Sequence, residues 1–165
     1  MISIIDYGVG NVFNIAKCFG RINSKIKITN LEKEIKNSNI ILLPGVGSFG
    51  YAAKMLKKKN LDQIITHYVK KGKILIGTCV GMQLLMNRSF EKGEHEGLKL
   101  INGDVLHLSN LFENNNKIKY PIIGYSKLNY VNKKIKLKKE INDKDFYFVH
   151  SYYANPINES NIIAT

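Results

Sequence analysis

Residues 73–85 read KILIGTCVGMQLL. An apolar strand (74–76) runs into Gly77-Thr78-Cys79-Val80-Gly81, and Met82, Leu84 and Leu85 continue into a stretch (81–88) that the spacing predicts to be helical. A strand that delivers a cysteine between two glycines and turns at once into a helix has the form of a nucleophile elbow, with Cys in place of Ser. Such a turn holds its nucleophile in strained dihedrals and leaves no room for side chains at positions 77 and 81. In return the thiol stands at the carboxyl end of the sheet, at a helix start that favours negative charge. The Val80 N–H is placed to donate to a developing oxyanion. Cys79 is therefore the candidate nucleophile. The other cysteine, Cys18, falls on the apolar stripe of a predicted helix (12–21) and reads as a packing residue.

Working outward, the same grammar repeats. Residues 1–6 are apolar almost throughout, as a strand buried on both faces of a parallel sheet should be. Gly8 and Gly10 make a turn, Asn11 can cap the helix after it, and 25–28 is a short strand candidate. Residues 31–37 permit a helix, 40–43 are a second buried strand, and 51–59 and 61–71 read as helices. Residues 73–76 are the third buried strand. This alternation argues for an α/β domain with a mostly parallel central sheet and helices on both faces, flavodoxin-like in plan. Beyond residue 97 the pattern changes. Runs at 98–108, 118–123, 125–131, 135–137 and 146–149 are strand-like, and they predict a small antiparallel accessory sheet. Residues 110–119 (NLFENNNKIK) read as a polar loop, and 133–139 (KKIKLKK) as an exposed edge strand.

Composition bounds the rest. The 165 residues are 44% hydrophobic and 23% charged, which suits one globular domain spanning 1–165. No apolar run approaches the roughly 18 residues of a membrane span, and no secretory signal is visible at MISIID. Two cysteines make neither a disulfide framework nor a metal cluster, so the expectation is a cytoplasmic protein with no metal and no cofactor. The net charge is +12, but only Arg21 and Arg88 are arginines. Nucleic-acid binders draw on Arg for bidentate contacts, so a solvated lysine surface is the expectation and nucleic acid is not. The first 80 residues carry 13 basic and 4 acidic groups, a bias suited to steering a phosphorylated substrate or an acidic partner.

A second motif lies at 42–49, LLPGVGSF, where a strand ends in a glycine turn that exposes successive N–H groups at the same edge as the elbow. Together with the opening IIDYGVGN and the elbow GTCVGMQLL, it resembles the triad class of glutamine amidotransferases, and within that class the glutaminase subunits of imidazole glycerol phosphate synthase. The runs EKGEHEGL (91–98) and YFVHSYY (147–153) agree as well, so the resemblance covers essentially the whole chain. It implies that Cys79 attacks the side-chain amide of glutamine and forms a glutamyl thioester with release of ammonia. It places the oxyanion between the Val80 N–H and the Val46–Gly47 backbone. It assigns Gly47, Gln83, Ser151 and Tyr152 to glutamine binding and Asn11 to a partner interface. The implied partner is a (β/α)₈-barrel cyclase forming a heterodimer, in which the ammonia helps make imidazole glycerol phosphate and AICAR for histidine biosynthesis.

Two departures qualify that picture. Family members finish with a His-Pro-Glu segment supplying the triad base and its orienter, and no His-Pro-Glu occurs in these 165 residues. The expectation is a domain incomplete at its C-terminal end, with weak activity alone, and a catalytically impaired binding or regulatory subunit is the reading from another class. The second departure is YPIIGYSKLN (120–129), where the histidine-pathway pattern has His at 122 and Trp at 125. That run faces the partner in the family, and it keeps glutaminase subunits of surface-sugar biosynthesis as the alternative. A cysteine hydrolase or chaperone of the related α/β kind fits Met82-Gln83 and the PGVG loop less well.

Overall fold

Isoleucine-rich segments dictate the central sheet. The computed structural model describes residues 1–22, 25–112, 118–132 and 144–165. Strands β1 (Ile2–Ile5), β2 (Ile26–Thr29), β3 (Ile40–Leu43) and β4 (Ile74–Gly77) lie parallel in the order β2-β1-β3-β4. Side chains alternate across a strand, so β1 feeds two cores. Ile2 and Ile4 meet Val12, Ile15 and Phe19 of α1 (Val12–Gly20) on one face. Ile5 joins Ile41 and Leu43 on the other, under Ile35 of α2 (Glu32–Asn37), Phe49 and Leu56 of α3 (Phe49–Lys58), and Leu61 and Ile65 of α4 (Leu61–Lys70). The helices thus cover both faces, as the sequence predicts, and this is the doubly wound arrangement in which sites form at the carboxyl ends of the strands.

Several local expectations are corrected. Strand β4 is the last in its sheet rather than a strand buried on both faces. Among the described residues it pairs with β3 alone, and Ile74 is 57% exposed. The helix after the elbow is one turn, α5 (Val80–Gln83), not 81–88. The chain then turns into β5 (Arg88–Ser89), because the backbone N–H of Leu98, Leu100 and Ile101 docks onto the carbonyls of Leu84 and Leu85. Residues 98–108 are not one strand: Gly103, at φ 139°, opens β7 (Gly103–His107). Cys18 is exposed, since only Val12 of α1 is fully buried.

The second half supplies mixed and antiparallel strands, a small antiparallel sheet among them, as the sequence predicts. Strands β5, β6 (His95–Glu96), β7 and β10 (Tyr152–Pro156) form a mixed sheet in the order β10-β7-β5-β6, in which β5 and β7 run parallel. Strands β8 (Ile122–Lys127) and β9 (Asp145–His150) form a separate antiparallel pair. A 3₁₀ turn (Leu108–Leu111) opens the polar loop. The KKIKLKK run lies outside the described residues. No helix among the described residues is long and apolar enough to cross a membrane.

Candidate active site

Three turns leave the carboxyl ends of β1, β3 and β4 side by side. The register sets their heights, since Leu43 of β3 lies opposite Gly77 of β4 and Ile4 of β1 opposite Leu42. Cys79 sits at φ 54°, ψ −124°, a conformation that side chains rarely adopt, and it is exposed. The elbow's glycines are sterically required. A Cβ on Gly77 would come 2.6 Å from Gly81 O, and one on Gly81 would fall against the Leu43 carbonyl. Gly45 of the PGVG loop packs in turn on the Gly81 N–H and the Val80 backbone. The loop after β3 and the elbow after β4 are therefore pressed together, backbone on backbone.

That packing leaves donors over. Gly81, Met82 and Gln83 give their N–H groups to Thr78 and Cys79 carbonyls, whereas the Val80 N–H has no acceptor among the described residues. The N–H groups of Val46 and Gly47 have none either, and Gly47, at φ 76°, faces open space. Near the exposed Cys79, the uncommitted N–H groups of Val80, Val46 and Gly47 are donors of the kind a negative oxygen needs.

The PGVG loop is held at both ends. At its start the Tyr7 hydroxyl, wholly buried, donates 2.6 Å to the Pro44 carbonyl, and Gly10 of the first turn packs on the Pro44 ring. Burial pushes the Tyr7 phenol well above its usual range, and the neighbouring Cys79 pushes the same way, so Tyr7 stays a neutral donor. Past the loop's end, the Glu91 carboxylate accepts from the Phe49 N–H at 2.7 Å, at the start of α3.

Gln83 and Tyr152 are joined by a 3.2 Å bond from Gln83 Nε2 to the Tyr152 carbonyl. Ser151 is fixed by its carbonyl, which accepts from Leu108 N–H at 2.8 Å. Asn11 caps α1 by accepting from the Asn14 N–H, at the same end of the sheet but exposed. Of the four histidines, His150 Nδ1 lies 3.0 Å from the Tyr152 carbonyl, His107 is bound to Ser109, His95 packs on Gly50 and His67 lies on α4. None is hydrogen-bonded to Cys79. Among the described residues no group of three or more His, Cys, Asp or Glu could hold a metal ion.

The family model for class-I glutamine amidotransferases matches residues 3–165. The chain belongs to this family. The imidazole glycerol phosphate synthase subunit HisH of Bacillus subtilis (strain 168) is 38% identical over 166 residues, covering 100% of this chain and 77% of its own length. The HisH subunit of Caldanaerobacter subterraneus subsp. tengcongensis is 43% identical over 156 residues, covering 94% of this chain and 73% of its own. A crystal structure of a glutamine amidotransferase superposes with a TM-score of 0.74 at 14% identity, over 99% of this chain and 78% of that one, and shows the shared fold.

Within this amidotransferase, sequence reasoning does not single out Tyr7 or Glu91. Both sit inside quoted motif runs, IIDYGVGN and EKGEHEGL. The available signal is an aromatic residue directly after a buried strand, where a turn would ordinarily be polar. For Glu91 no local pattern exists, because its partner Phe49 is 42 residues away.

Proposed function

We propose that the protein is the glutamine-hydrolysing subunit of an imidazole glycerol phosphate synthase, delivering ammonia to a cyclase partner in histidine biosynthesis. The observation that carries this reading is the exposed Cys79 at φ 54° beside the uncommitted N–H groups of Val80, Val46 and Gly47. The relatives named above supply the pathway.

In the proposed reaction the Cys79 thiolate forms a bond to the side-chain amide carbon of glutamine, and the carbonyl π pair moves onto oxygen. The N–H groups of Val80 and Gly47 hold that oxyanion. Its collapse breaks the C–N bond, the nitrogen leaves as ammonia after taking back through solvent the proton that the thiol gave up, and a glutamyl thioester remains. Water then hydrolyses the thioester to glutamate and frees the thiol. Gln83 and the Ser151–Tyr152 segment hold the amino-acid end, and Glu91 fixes the start of α3 just past the PGVG loop. Asn11, exposed at the same end of the sheet, lies on the proposed partner face. A (β/α)₈-barrel cyclase is the proposed partner there, in a cytoplasmic heterodimer.

Glutamate release from glutamine, measured with and without a cyclase subunit and beside Cys79→Ala, tests the reading. Partner-stimulated release that vanishes in the variant is expected. Glutamine protection of Cys79 from a glutamine-like electrophile is expected as well. Release that persists in Cys79→Ala, or labelling indifferent to glutamine, would overturn it.

A further inference from the structure

The Tyr7 hydroxyl ties the turn after β1 to the loop after β3. It projects from the turn after β1, bonds the first carbonyl of the PGVG loop, and sits close enough to Cys79 to feel its charge. A phenol buried this completely, with its hydroxyl committed to one backbone carbonyl, does more than fill space. The peptide unit is planar, so the N–H of Gly45 points opposite to the Pro44 carbonyl. Fixing that carbonyl therefore fixes the plane from which Gly45, Val46 and Gly47 continue. Gly45 lies so close to Val80 and Gly81 that it has no room for a Cβ, whereas Gly47 has open space beside it and no packing of its own to set its direction. The direction of the Val46 and Gly47 N–H groups is thus inherited from the loop's start.

We propose that Tyr7 is a positioning residue for the oxyanion site: its hydroxyl, through the Pro44 carbonyl, aims the N–H groups of the PGVG loop at the oxygen that becomes negative when Cys79 attacks. The inference rests on the glutaminase reading and adds to it a residue that touches neither substrate nor thiol. Deleting the hydroxyl should leave the thiol's own reactivity intact and weaken only chemistry that passes through an oxyanion.

Two probes separate these. Iodoacetamide alkylates Cys79 by displacing iodide, with no negative oxygen formed at the loop. The γ-aldehyde of glutamate accepts the Cys79 sulfur at its carbonyl carbon, and the resulting hemithioacetal oxygen occupies the oxyanion position. Tyr7→Phe, compared with the parent protein, is expected to weaken aldehyde affinity at least about tenfold while Cys79 alkylation stays within about twofold. In the partnered enzyme kcat for glutamine should fall by a similar factor with KM little changed. A protein carrying 3-fluorotyrosine at position 7, which keeps the hydroxyl, should recover both values; it also serves if Tyr7→Phe does not fold. Unchanged aldehyde affinity in Tyr7→Phe, an equal loss in both probes, or no recovery with fluorotyrosine would overturn the positioning role. A parent protein that binds neither the aldehyde nor glutamine would bring down the glutaminase reading itself, and the positioning role with it.

Discussion

Beside Cys79 one added carbon is too much at three positions, since a Cβ on Gly45, Gly77 or Gly81 would run into main-chain atoms. Along β8–β9 whole side chains stand in solvent: Ile123 and Tyr125 pair across the strands with Val149 and Tyr147, each between 53% and 76% exposed. Those three positions tolerate no side chain because their nearest neighbours are main chain, which cannot rotate aside. The β8–β9 pair is a two-stranded ladder that packs little against the rest. One chain therefore holds a rigid frame for chemistry and a face with few internal demands.

The largest expected effect lies in the frame. Cys79→Ala should reduce partner-stimulated glutamate release by more than roughly 10³-fold, with little effect on stability. Any residual release near the parent rate would break the contrast by moving the chemistry elsewhere. Gly81→Ala should destabilise the fold by about 3 kcal/mol in urea unfolding, because its Cβ meets a strand carbonyl that cannot move. Gly47→Ala probes the one open spot in the frame. Only its positive φ resists a side chain, so the loss should be about 1 kcal/mol. A larger loss at Gly47 than at Gly81 would contradict the packing described. On the hairpin, Ile123→Thr should change stability by less than about 0.5 kcal/mol. The smallest effect concerns acid. Lys27, bonded to Glu34, holds that carboxyl below the ordinary glutamate value of 4.5. The folded value being depressed, the pair's contribution is complete at neutral pH and is lost as pH falls through that lowered value. Melting temperatures of the parent and Glu34→Gln should therefore converge in that acid range, and a gap that widens there would reverse the assignment.

The frame is also the more legible region. Its strands are continuous apolar runs, and its glycines recur at spacings that a sharp turn requires, so both the sheet and the strained turn at Cys79 follow from residues 1–85 read alone. The elbow's short helix does not, because Leu84 and Leu85 are captured by carbonyl bonds from residues 98–101 that no window of sequence reveals. The two-sided burial expected for β4 fails for a similar reason: ILIG is as apolar as IILL, and only the strand order puts it last. Tyr7 and Glu91 escape notice because each acts on a residue 37 or 42 positions away. Asn-rich turns in the second half mark boundaries but not pairings, and β10 is recognisable only beside β7.

The pairing of Leu43 with Gly77 carries a further consequence. Each residue along a parallel strand advances about 3.3 Å, whereas a reacting group tolerates a displacement of only about 0.5 Å. Loss or gain of a single residue within β3 or β4 would slide the oxyanion loop past the thiol by several times that tolerance, even if every named side chain survived. The lengths of these two strands are thus a ruler for the reaction, and substitutions within them are a milder insult than any deletion.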